Sequence, residues 1–217
     1  MPSGAVLAFL LNLLSAFVAL LTSYYAYRTN RLVRNPVLGA ISFGFTLLGI
    51  GLLVDAGTSL FTGHLVVESY ADRVFVLLAT FTYLTIQMVS YLVIAWGYAR
   101  VAYRGEARGF VPAALVGSAA ISLYGYTILS YFVALILIGF VVFQGFLLRS
   151  GEKSRFSGTV MLAFVLILVA HLVFLGSVLA LGSSYAGGIF LVGIGVQFLG
   201  FISLLVFVVR SEVVGPR

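Results

Sequence analysis

Between residues 110 and 148 the chain carries no charged side chain at all. A run of that length cannot be wrapped into a water-facing domain, because it holds nothing to solvate an outer surface. As one helix it would extend roughly 57 Å at 1.5 Å per residue, well beyond the ~30 Å hydrocarbon core of a bilayer. The stretch therefore reads as two membrane spans with a break between them. The rest of the chain has the same character. Of its 217 residues, 62% are hydrophobic and 8% charged, with a mean hydropathy of +1.19, whereas a soluble domain is about a quarter charged. Lipid is the solvent for most of this chain, and its length allows one membrane domain, residues 1–217, with no room for a soluble module.

Polar and basic breaks divide the chain into spans at about 4–27, 37–60, 74–101, 111–124, 127–148, 156–181 and 187–210. The break inside the charge-free run is placed at "YGYT", Tyr124–Thr127, a candidate tight turn with tyrosines at the membrane interface. Continuous apolar runs of this length exclude the ~10-residue alternating strands of a membrane barrel. The expected fold class is all-α, a polytopic seven-transmembrane-helix bundle. Charge supplies an independent check on the count. With seven spans, Arg28, Arg31, Arg34, Arg100, Arg104, Arg108, Arg149, Lys153, Arg155, Arg210 and Arg217 share one face, leaving Arg73 alone opposite among the 12 basic residues. Merging spans four and five would separate the basic clusters. The positive-inside rule thus predicts an N-terminus outside and a C-terminus in the cytoplasm of a multi-pass cell-membrane protein. No Lys or Arg precedes Arg28, so the first span reads as a retained helix and not a secretory leader.

Polar residues inside the spans mark the candidate site. Gln87, His171 and Gln197 fall near the midpoints of spans three, six and seven. Thr80, Tyr83, Gln87, Ser90 and Tyr91 recur at three- and four-residue steps and so share one helical stripe. Asn12 and Ser15 add polarity to the outer half of span one. Unpaired amides in hydrocarbon cost several kcal/mol, so these groups should face the bundle interior. Two readings follow: a ladder of interhelical hydrogen bonds, or a small pocket lined by Tyr83, Gln87, Tyr91, His171 and Gln197. Small residues such as Ala40, Gly44, Gly49, Gly193 and Gly200 mark close helix contacts. In span seven, "GGIFLVGIGVQFLG" raises the alternative of a flexible or broken helix of the transporter kind. Asp55 is the deepest acid. It reads as an interfacial carboxylate near a helix end, with a proton or cation entry site as the alternative.

Named chemistries are mostly excluded. There are no cysteines, hence no disulfides, thiolate metal sites or iron–sulfur clusters. The two histidines, His64 and His171, lie at different depths and cannot share a bis-histidine haem. No HExxH, no paired midplane aspartates and no Ser-His-Asp set occur, so no catalysis, metal or cofactor is expected. Seven helices with an outer N-terminus resemble microbial rhodopsins in number. That family attaches retinal to a seventh-helix lysine, and here the sole lysine is Lys153, in a loop. Seven-helix sugar transporters share the topology, but their Pro-Gln pair is missing. The net charge of +6 is explained by topology and needs no nucleic acid. The basic surface can still meet anionic lipid or an acidic partner.

The segment "AYRTNRLVRNPVLGAISFGFTLLGIGLL", with its aromatic–Arg helix end, short basic turn and Gly/Phe/Leu helix, resembles the first hairpin of uncharacterised archaeal multi-helix membrane proteins. The resemblance covers the first three helices and implies a link to sensing or regulation, with no site residues attached. The expectation is a non-catalytic sensor-like or accessory subunit. It would bind a small apolar or weakly polar ligand, a lipid, a membrane-protein partner or a second copy of itself. The alternative is a small transporter or channel for an uncharged or weakly charged solute.

Overall fold

The computed structural model describes residues 2–64, 70–102, 123–151 and 156–213. They form helices α1 (Pro2–Val33), α2 (Pro36–His64), α3 (Tyr70–Ala102), α4 (Leu123–Gly151), α5 (Phe156–Leu179) and α6 (Ala186–Val213). All six are long and apolar enough to cross a membrane, which marks a multi-pass integral membrane protein. Their outward faces carry Phe17, Phe43, Leu78, Phe143, Leu172 and Leu199 exposed, a surface that only lipid tails can cover at no cost.

Each helix packs on its neighbour in sequence, and α6 closes against α1, giving a ring. Directions follow from paired contacts. Along α1 and α2, Gly49 faces Leu20, Ser23 bonds Thr46 and Gly39 faces Asn30, so the two helices are antiparallel. Gly51 against Ile86, Gly44 against Ile94 and Gly97 against Ala40 make α2 and α3 antiparallel. Gly193 against Phe174 and Gly200 against Ile167 do the same for α5 and α6. Gln87 on His171 and Tyr98 on Phe164 make α3 and α5 antiparallel. Helix α4 is the exception among chain neighbours. Its Tyr126 bonds Thr85 and stacks on Phe81, while Tyr131 and Tyr91 meet the same imidazole. Helices α3 and α4 therefore run parallel.

So α1, α3, α4 and α6 run one way and α2 and α5 the other. The helix ends bearing Arg28, Arg31, Arg100, Arg149 and Arg210 gather at a single end of the bundle, with Arg34 in the α1–α2 turn and Arg73 near the start of α3 at the opposite end. At the basic end the guanidinium of Arg100 lies over Trp96 at 4.7 Å, and that of Arg31 over Tyr27 at 5.8 Å. These are interfacial aromatic–cation pairs. Arg104, Arg108, Lys153, Arg155 and Arg217 lie outside the described residues.

The turns follow local chemistry. Helix α1 ends at Arg34, held at φ 52°, with its N–H on the Asn30 carbonyl at 2.7 Å. Asn35 then caps α2, its Oδ1 accepting from the Val37 N–H at 2.9 Å, and Pro36 fills the first helical position. Gly182 takes φ 102° in the α5–α6 turn, where a side chain would be strained.

Two expectations are corrected. Tyr124–Thr127 is no turn, because α4 is already helical from Leu123. The tyrosines that suggested an interface are partly interior: Tyr126 is buried on Thr85 and Phe81. The span expected at 111–124 lies outside the described residues except for its last two positions, which belong to α4. Of the two readings of the span-seven glycines, the broken helix is the one that does not form: α6 is unbroken through them. Two of them are packing notches: a Cβ on Gly193 would sit 2.6 Å from Phe174 Cε1, and one on Gly200 would sit 2.8 Å from Ile167 Cγ1.

Candidate functional site: a buried polar knot at the bundle centre

The α3 stripe faces inward as its spacing requires. Tyr83, Gln87, Ser90 and Tyr91 are all buried, and Thr80 is half-buried. His171 on α5 is 0% exposed, so it points into the bundle and not into lipid. Its ring is held from both sides. Ile167, one turn earlier, offers a carbonyl that only accepts, so His171 Nδ1–H donates to it at 2.7 Å. The proton on Nδ1 leaves Nε2 as an acceptor, and the Gln87 amide Nε2 donates to it at 3.0 Å. A neutral imidazole in this one tautomer satisfies both bonds and fastens α3 to α5.

Aromatic rings enclose the imidazole. Tyr91 approaches edge-on at 5.1 Å, Phe174 at 5.7 Å and Tyr131 at 6.2 Å between centroids. Phe174 in turn stacks on Tyr131 and tilts against Phe190 of α6. Edge-to-face contacts of this kind add about 0.5–1.5 kcal/mol beyond burial and fix ring orientation.

The knot is only partly satisfied. Tyr91 Oη lies beside the amides of Gln87 and Gln197, yet makes no aligned hydrogen bond to either. Among the described residues, Gln197 Nε2 on α6 also finds no partner. The Ser15 hydroxyl of α1 is likewise unpaired. Leaving such a group buried and unbonded costs about 1–3 kcal/mol. Gln87, Tyr91, His171 and Gln197 thus lie together at the bundle centre.

Tyr83 sits one turn away, toward the end opposite the arginines. Its surroundings were not legible beforehand. Asp55 of α2 accepts from Asn12 Nδ2 of α1 at 2.7 Å and lies within electrostatic reach of the Tyr83 and Tyr131 phenols. The apolar span of α2 ends at Ser59, four residues past Asp55, in keeping with a carboxylate near the end of a span, while the helix itself continues to His64. That places Asp55 about 14 Å inside the helix terminus at 1.5 Å per residue. One amide bond and its half-buried position keep it tied to α1.

Tyr131 was not singled out, although it fell inside the span expected at 127–148. Taken as one helix, Tyr131, Ala134, Ile138 and Val141 form a buried stripe. Ser177, two turns beyond His171, is already committed to the Phe174 carbonyl at 2.7 Å. Among the described residues, no group of three or more His, Asp or Glu side chains could hold a metal ion. No protein family, curated protein or solved structure matches this chain.

Proposed function

We propose that this chain is a non-catalytic, sensor-like or accessory protein of the cell membrane that holds a small, weakly polar ligand where α3, α5 and α6 meet. The observation that carries the reading is the pairing state of the knot. His171 and Gln87 satisfy each other, while Tyr91 Oη and Gln197 Nε2 stand beside them without a partner among the described residues. Both unpaired groups can donate, so the complementary ligand presents an acceptor oxygen on an otherwise apolar body. The rings of Tyr91, Tyr131 and Phe174 supply the apolar contact. Closed packing around the fully buried His171 favours a held ligand over a solute in passage.

The alternative, conduction of an uncharged or weakly charged solute, draws support from the polar line Asn12, Asp55, Tyr83 and Gln87. Reconstituted liposomes decide between the two. The ligand reading expects solute flux no higher than in protein-free vesicles, and no turnover of lipid or peptide. Flux or turnover that disappears in a Gln87→Leu/His171→Phe/Gln197→Leu variant overturns it.

Seven crossings, with the N-terminus outside and C-terminus cytoplasmic, form part of the same proposal. Parallel α3 and α4 have to be joined between opposite ends. By the level of the Tyr126–Thr85 bond, Leu123 lies about 30 Å along the axis from Ala102. Residues 103–122, at helical rise, extend about 30 Å. The gathered arginines support a cytoplasmic face at that end.

A further inference from the structure

The outward side of the α1–α2 hairpin carries an open groove of about 590 Å³, lined in part by Leu20, Tyr24, Tyr27, Phe43 and Thr46. Tyr24, Tyr27 and Phe43 are each more than half exposed there, so the groove opens to the surrounding lipid. Its apolar rings and aliphatic walls suit a hydrocarbon chain. The hydroxyls in its floor do not compete for a polar guest. Ser23 Oγ bonds Thr46 Oγ1 at 2.6 Å and the Ser42 carbonyl at 2.7 Å.

At Asn30 the groove runs into a second hollow of about 580 Å³, lined by Asn30, Arg31, Arg34 and Pro36. The chemistry changes abruptly across that one residue. On one side lies an apolar trough at membrane depth, and on the other two exposed guanidiniums at the membrane's edge. Arg31 is steadied over the Tyr27 ring, and Arg34 is fixed by the turn that ends α1. Few ligands are apolar along one stretch and anionic at the end. A membrane phospholipid with a net negative headgroup is one, and it is already dissolved in the phase that bathes the groove.

We propose that the α1–α2 groove is a binding site for one anionic phospholipid, with an acyl chain along Tyr24, Tyr27 and Phe43 and the headgroup phosphate between Arg31 and Arg34. Guanidinium matches phosphate oxygens with paired N–H donors, which is why a planar cation serves better here than an ammonium. The volume lies within the ~300–1,000 Å³ of ordinary ligand clefts. The site is peripheral to the polar knot, and its failure leaves the reading of the knot untouched.

The test uses the full chain in nanodiscs of phosphatidylcholine containing a minor fraction of phosphatidylglycerol. Native mass spectrometry of the released protein reads which lipid stays bound. The wild type is expected to retain one phosphatidylglycerol in preference to phosphatidylcholine. In R31Q/R34Q that preference falls about thirtyfold, at about 1 kcal/mol per surface arginine, whereas R104Q/R108Q, with the same charge loss, retains it. A second readout follows the chain itself. In a Trp96→Phe/Phe43→Trp variant, bromine on the acyl chains of phosphatidylglycerol quenches the new indole more than bromine on phosphatidylcholine. No preference for the anionic lipid, an equal loss in both double variants, displacement by inorganic phosphate alone, or equal quenching by the two brominated lipids overturns the proposal.

Discussion

Consider removing the Gln87–His171 bond from each side and then from both. In Gln87→Leu, His171 keeps Nδ1–H on the Ile167 carbonyl, but its Nε2 lone pair faces hydrocarbon at a site with 0% exposure. In His171→Phe, a ring of similar outline keeps the edge contacts at 5.1, 5.7 and 6.2 Å, and the Gln87 amide loses its acceptor. An orphaned buried partner costs about 1–3 kcal/mol, whereas replacing both partners by apolar groups is close to neutral. The double variant should therefore be more stable than the sum of the singles implies. Interhelical hydrogen bonds in membranes couple by about 0.6 kcal/mol on average and about 1.7 at most. Complete burial and the single permitted tautomer place this pair toward the upper end, a factor of about ten in the unfolding equilibrium. Unfolding in mixed micelles, followed by far-ultraviolet circular dichroism, gives the four free energies. Additivity within about 0.3 kcal/mol would refute the claim that this bond fastens α3 to α5.

Other outcomes follow from the same contacts. Gly200→Val should cost about 1–3 kcal/mol by overpacking, since its Cβ would already meet Ile167 Cγ1 at 2.8 Å, while Gly195→Ala, with nothing within 4 Å, should be neutral or stabilising; the same micelle unfolding assay ranks them, and equal effects would contradict the packing. Asn12→Leu strips Asp55 of its bond and should lose about 1.5–3 kcal/mol, with Asp55→Leu on top restoring part of it; a neutral Asn12→Leu would show that the pair ties nothing. The chain has no native cysteine, so single cysteines report topology directly: Tyr124→Cys and Ser183→Cys should react with an impermeant maleimide from the same side, and Arg31→Cys from the other. Labelling of positions 124 and 31 from one side would contradict the parallel arrangement of α3 and α4.

Much of this architecture is written in the chain's polarity. The inward face of α3 could be read from Tyr83, Gln87 and Tyr91, because a polar stripe has one tolerable direction in lipid. The inward turn of His171 follows from the same cost. Depth was harder to read. Asp55 lies near the end of the apolar span, which closes at Ser59, but the helix runs on to His64 and no pattern in the sequence announced that extension. The start of α4 was misplaced because Gly125 between two tyrosines is common to turns and to first helical turns, and only the Thr85 and Phe81 contacts decide which. The pairing state of Tyr91 and Gln197 depends on side-chain angles set by neighbouring helices, and no local pattern carries that.

The central claim is that the knot holds a place for an acceptor oxygen between α3 and α6. An experimental density map of the purified protein, fine enough to resolve ordered small molecules, tests it most directly. The account predicts non-protein density within hydrogen-bonding distance of both Tyr91 Oη and Gln197 Nε2, with His171 Nε2 still on the Gln87 amide. A map in which Tyr91 and Gln197 bond each other, with no density between the helices, would contradict it.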